Sequence, residues 1–115
     1  MYDLYSEFDI EQHAKHYPHY LEVVMFPDGK VEYAVPSHQE KLISIACEKL
    51  NVGRQELFDM CPPEYYFDVI EWLCDITGCI SIWTEGIMTS RKNDLTQAQI
   101  EMIQKLKQAG VYEGE

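Results

Sequence analysis

Four carboxylates have the spacing in this sequence that most suggests chemistry. Glu64, Asp68, Glu71 and Asp75 recur at i, i+4, i+7 and i+11 within the run Cys61–Trp83, CPPEYYFDVIEWLCDITGCISIW. On a continuous α-helix these positions share one narrow stripe and rise by about 6, 4.5 and 6 Å along the axis. From Gln55 through Ser90 there are seven acidic residues and no lysine or arginine. No neighbouring cation therefore offsets the repulsion between like charges one turn apart. Such a ridge suits a cationic partner. A phosphate backbone presents negative charge at comparable intervals, so a groove built for nucleic acid is one such partner. Paired glycosidase-type carboxylates fit less well, because the four share one convex face rather than a cleft. The plainer alternative is a solvated polar face on an otherwise buried helix.

Two other residue sets invite a chemical reading and carry it less far. His13, His16 and His19 are spaced by three, and imidazole is a good metal ligand. A metal-dependent enzyme using His13 and His16 is thus an alternative. However, Pro18 breaks any helix before His19, and no Cys or acidic pair is placed to complete a site. Solvated surface histidines are the simpler expectation. Cys61 lies at an expected helix N-terminus, which favours the thiolate, but Asp59 and Glu64 flank it and oppose it. Cys74 and Cys79 lack zinc-ribbon spacing. No phosphate-binding glycine loop, nucleophile elbow or dinucleotide fingerprint is present. No catalytic residue, metal ligand or cofactor is assigned, and a non-enzymatic protein is expected.

The elements that must position these residues follow from periodicity and turn chemistry. The acidic stripe belongs to an expected central helix, Pro63–Thr77, stopped by Gly78. Tyr65, Tyr66, Phe67, Val69, Ile70, Trp72, Leu73, Cys74 and Ile76 make the rest of its surface apolar, so it should be largely buried. Tyr20–Val35 reads as a β-hairpin. A three-residue loop, Pro27-Asp28-Gly29 with Gly29 left-handed, pairs Met25 with Val31, Val23 with Tyr33 and Leu21 with Val35 on one face. The opposite face carries Phe26 with Lys30, Val24 with Glu32 and Glu22 with Ala34, and is too apolar to be simply wet. Either another helix or a partner should cover it.

Asp9 can cap a short helix through Tyr17. Ser37 and Glu40 form an expected capping box for a helix to Leu50, with Leu42, Ile43, Ile45, Ala46 and Leu50 inward and Asn51 as the C-terminal cap. Arg54–Met60 adds a short helical turn. Residues 79–84 are expected to form a third strand, and 84–95 a long polar loop holding Arg91-Lys92. Thr96 and Gln99 form a second capping box, Ile100, Met102, Ile103 and Leu106 make the last apolar stripe, and Gly110 ends the helix. The expected fold is α+β. A small, mainly antiparallel three-stranded sheet (hairpin 20–35 plus 79–84) packs against about four helices in one domain, 1–115, with 1–5 and 111–115 frayed.

Composition narrows the partners. Hydrophobic residues make up 46% of the chain, enough for a core without disulfides. The net charge of −11 argues against direct contact with nucleic acid or an anionic membrane, since both need a cationic face. No apolar run follows Met1 and none is of membrane-spanning length, so a cytoplasmic protein with reduced thiols is expected.

The segments YLEVVMFPDGKVEYAVPSHQEKL and CPPEYYFDVIEWLCDITGC resemble small acidic proteins of prophages and conjugative elements from gut Firmicutes, over about residues 6–110. The resemblance implies a setting rather than an activity: short acidic proteins of mobile elements often inhibit or regulate host proteins. Together with the charge, it leads to the expectation of a protein-binding module that uses Glu64, Asp68, Glu71 and Asp75 against the basic surface of a host protein. A nucleic-acid-binding or defence protein such as a CRISPR nuclease would fit. The alternative is an assembly component of a mobile element that oligomerises, for instance as a homodimer, through the face around Val24 and Phe26.

Overall fold

A computed structural model describes residues 7–88 and 95–114. The hairpin whose alternation the sequence displays forms one side of the sheet. β1 (Glu22–Met25) and β2 (Val31–Tyr33) pair antiparallel with Val23 opposite Tyr33, Val24 opposite Glu32 and Met25 opposite Val31. The Pro27-Asp28-Gly29 loop closes as expected. Gly29 has φ +88°, the Phe26 and Lys30 backbones meet at 2.8 Å, and the Asp28 carboxylate accepts from the Lys30 N–H. The ladder ends at Tyr33, so Leu21 does not pair with Val35. Instead the Val35 N–H turns back to the Tyr33 carbonyl, and the Val35–Pro36 bond is cis.

β1 also pairs antiparallel with β3 (Ile80–Trp83), and β3 with β4 (Gly86–Met88), giving the order β2-β1-β3-β4. The sheet therefore has four strands rather than three. β4 occupies the start of the expected 84–95 loop, whose residues 89–94, including Arg91 and Lys92, lie outside the described residues. The link is a two-residue turn, Thr84-Glu85, with neither residue at positive φ. It lacks the Asn-Gly or Asp-Gly signature by which such a hairpin is read from sequence.

Both faces of the central strands are covered. Leu21, Val23, Met25, Ile80 and Ile82 pack with Val31, Ile103, Leu106, Val111 and Tyr112, beneath α1 (Ile10–His16) and α5 (Gln97–Gln108). On the other side Val24 joins Leu42, Ile43, Ala46, Leu57, Trp72, Leu73, Cys74 and Cys79, beneath α2 (His38–Leu50), α3 (Arg54–Asp59) and α4 (Val69–Thr77). Among the described residues, five α-helices thus enclose the sheet in three layers. The apolar face around Val24 and Phe26, offered above for oligomerisation, is no surface: Val24 is fully buried and Phe26 packs partly into the second core.

The helix ends obey local chemistry, with two departures. Asp9 caps α1 through the Gln12 N–H, and Asn51 (φ 55°) and Gly78 (φ 74°) close α2 and α4 in the left-handed conformation. Ser37 accepts from the Glu40 N–H, but the Glu40 carboxylate does not return the bond. It is drawn into a bidentate pair with Arg54 at 2.7 and 2.9 Å. Leu50 and Ile100, expected inward, are exposed. Gly110 (φ 79°) ends α5 with the paired Val111→Leu106 and Gly110→Lys107 bonds of a Schellman motif. The tail beyond it is not frayed through residue 114. Val111 and Tyr112 are buried, and the Glu113 N–H donates to the Thr84 carbonyl at 2.7 Å.

Gln99 ties the layers together from a buried position. Its Oε1 accepts from the Thr96 N–H, completing the expected capping box. Its Nε2 donates to the Phe26 carbonyl at the hairpin end and to the Gly78 carbonyl at the end of α4. At Gly29, an added Cβ would lie 2.9 Å from the Ala98 carbonyl oxygen of α5. Gly29→Ala therefore combines left-handed strain with a backbone clash, and should lower stability by about 2 kcal/mol, read from the urea unfolding midpoint. An unchanged midpoint would contradict this packing of hairpin on helix.

Candidate interaction surface

The acidic stripe does not ride on one helix. After Pro62, a three-residue 3₁₀ turn covers Pro63–Tyr65, the chain leaves helical geometry at Asp68 (φ −132°, ψ 49°), and α4 begins only at Val69. Glu64 thus lies on the 3₁₀ turn, Asp68 at the N-cap, Glu71 in the first turn of α4 and Asp75 one turn further on. Glu64, Asp68 and Asp75 are exposed and Glu71 is half-buried. Only Glu71 and Asp75 keep the i, i+4 relation within a helix. The even, phosphate-like rise expected from a helix spanning 63–77 is lost. Sequence signals for the break existed: three consecutive aromatics favour helix poorly, and Asp68-Val69-Ile70-Glu71 has capping-box spacing. The Asp68 side chain makes no capping bond, so the position of the cap is realised without its hydrogen bond.

Breaking the helix exposes what continuity was expected to bury. Phe67 is 99% exposed, Tyr66 61% and Met60 53%, whereas Tyr65 tucks partly into the second core. The backbone of this turn is internally bonded. Met60 N–H donates to Leu57, Cys61 to Phe58, Tyr65 to Pro62, Tyr66 to Pro63 and Asp68 to Tyr65. Asp59, Glu64 and Asp68 accompany the exposed side chains. Among the described residues, ion pairs join His19 to Glu113, Lys30 and Lys41 to Glu32, and Arg54 to Glu40. Glu64, Asp68 and Glu71 take part in none of these. Lys49 reaches α4 at its C-terminus, where its Nζ donates to the Ile76 carbonyl.

The other candidate residues are put to structural use. His13 is buried rather than solvated, one of its nitrogens lying 2.7 Å from the Tyr20 carbonyl and the other 3.2 Å from the Tyr33 hydroxyl. A carbonyl only accepts, so Nε2 carries the proton and Nδ1 accepts from Tyr33. His16 and His19 are exposed, and among the described residues no three His, Cys, Asp or Glu side chains are grouped to hold a metal. The Cys61 thiol is pushed up by burial and by the Glu64 carboxylate, away from the thiolate. Burial takes the Cys74 thiol to about 11, with a hydrogen bond to Ser81 acting the other way. No described helix is long and apolar enough to cross a membrane.

His38 is a buried titratable residue that no local pattern in the sequence marks. It is buried at the start of α2, stacked on Trp83 with ring centroids 3.8 Å apart. Neither ring nitrogen has a hydrogen-bond partner among the described residues. Burial lowers the pKa of both His13 and His38, opposed by the Tyr20 carbonyl bond in the first and by the Glu22 carboxylate in the second. The unfolded chain therefore takes up protons at higher pH than the folded one does. Stability should be full above about pH 6.5 and fall as pH drops below it. Urea midpoints measured across that range test this. His38→Phe, which keeps the stack and removes two unpartnered nitrogens, should raise the plateau and flatten the decline. A midpoint indifferent to pH between about 6.5 and 5 would contradict the burial of both rings. No protein-family model, curated protein or solved structure matches the chain.

Proposed function

We propose that this protein is a non-enzymatic, acidic protein-binding module that docks on a cationic surface of another protein. The observation that carries this reading is the distribution of charge. Glu56, Asp59, Glu64, Asp68, Glu71, Asp75 and Glu85 fall in a stretch without lysine or arginine, and the first three acidic positions of the former stripe lie outside every ion pair described above. Exposed carboxylates outside the described ion pairs, such as Glu64 and Asp68, strengthen association with a cationic partner and speed the encounter.

Mimicry of nucleic acid, directed at a host nuclease or defence protein, is the narrower form of this proposal. With the helix broken at Asp68, it rests on the net charge of −11 and no longer on regular spacing. Immobilised protein should retain its partner from host lysate at low salt and release it at high salt. Glu64→Lys with Asp68→Lys should abolish retention while leaving the unfolding midpoint nearly unchanged, since both side chains are exposed. Displacement of the partner by duplex DNA would identify its cationic surface as a nucleic-acid groove. Full retention by the double variant would exclude these carboxylates as the contact.

A further inference from the structure

The turn between α3 and α4 holds large apolar side chains away from both cores. A mobile loop could fold back and shelter Phe67. Here the five backbone bonds of the turn, the fixed φ of Pro62 and Pro63, and the partly buried Tyr65 hold the chain in place, and Phe67 points into solvent. Resting on the acidic-binder reading, we propose that Met60, Tyr66 and Phe67 are the apolar anchor of that interface. The partner is then a protein surface with an apolar pocket for the Phe67 ring, rimmed by lysines or arginines.

Exposed apolar side chains flanked by carboxylates have the pattern of an interface centre with its rim. Aromatic side chains are enriched at the desolvated centre of interfaces and carry most of the affinity, while charged groups around them set orientation and on-rate. Asp59 precedes Met60, and Glu64 and Asp68 bracket Tyr66 and Phe67. A pocket that accepts the ring must therefore also meet three carboxylates. A preformed turn loses little conformational freedom on binding, which favours affinity from a small contact. A second copy of this chain is disfavoured, because a two-fold contact through Phe67 would set Glu64 and Asp68 against their own counterparts. An anionic bilayer is disfavoured by the same carboxylates.

Selection of a random peptide library on the full-length protein tests the anchor with a defined probe. The enriched peptides should combine an aromatic or branched aliphatic residue with several lysines or arginines. Their affinity should fall about ten-fold or more with Phe67→Ala, less with Phe67→Leu, and separately with Glu64→Lys plus Asp68→Lys. The unfolding midpoint of Phe67→Ala should stay at the wild-type value, since the side chain touches neither core. Peptides that are only basic, bound equally by Phe67→Ala, would overturn the anchor and leave the acidic-binder reading standing. Failure to enrich cationic peptides would overturn both. A dimer in sedimentation that Phe67→Ala dissolves, or Phe67-dependent binding to phosphatidylcholine vesicles, would overturn the choice of a basic protein as the occupant.

Discussion

Burial of β1 and β3 from both sides is the constraint on which the rest of the structure depends. Leu21, Val23 and Met25 need one apolar layer and Val24 needs another, so no single set of helices can satisfy the sheet. α2, α3 and α4 supply one cover, and α1, α5 and the tail through Tyr112 supply the other. Fully burying one such side chain contributes roughly 1.5–3 kcal/mol, so failure of either layer would remove a large part of the net stability of a small domain. Two polar side chains trapped between the layers are matched in kind, whereas His38 leaves both ring nitrogens without a partner among the described residues. Gln99 uses both its oxygen and its nitrogen, and His13 uses both ring nitrogens. Glu32 sits on the α2 face of the sheet. Burial alone would raise its pKa, and the ammonium groups of Lys41 and Lys30 outweigh that effect.

Local chemistry was legible in the sequence, and long-range arrangement much less so. The hairpin register from Val23 to Met25, the left-handed Gly29, and the caps at Asp9, Asn51, Gly78, Thr96 and Gly110 all depend on neighbours a few residues away. Each is realised. β4 escaped because its turn uses Thr84-Glu85 without a positive φ. Frayed ends were expected beyond Gly110 because nothing local shows that Val111 and Tyr112 complete a core against Leu21 and Val23. His13 escaped for a similar reason: its partners, Tyr20 and Tyr33, come from other elements. The Val24 face posed an open question, helix or partner, and α2 answers it.

In the acidic stretch, the position at which α4 begins decides what the surface presents. A helix running 63–77 would have made an even row of charges with its aromatics hidden. Starting the helix at Val69 leaves Glu64, Asp68 and Asp75 exposed and Glu71 half-buried, with Glu64 and Asp68 in the turn that carries the exposed Tyr66 and Phe67. The charge-based reading survives this change and the spacing-based one does not. Phe67 could not be placed from the sequence, because an aromatic run beside an apolar helix is ordinarily taken as core, and only the torsions at Asp68 turn it outward.

The layered sheet also bears on how the chain reaches its native state. Met25 finds its β3 partner at Ile80, and Leu21 shares a core with Leu106 and Val111, so the segment Leu21–Phe26 stays uncovered until most of the chain has been made. Such late, non-local closure is slow. Meanwhile LEVVMF is a short β-prone run with a single charge, the type of sequence that self-associates in nascent chains. Glu22 within it and Pro27 directly after it are a charge and a proline of the kind that opposes pairing between copies of such a strand.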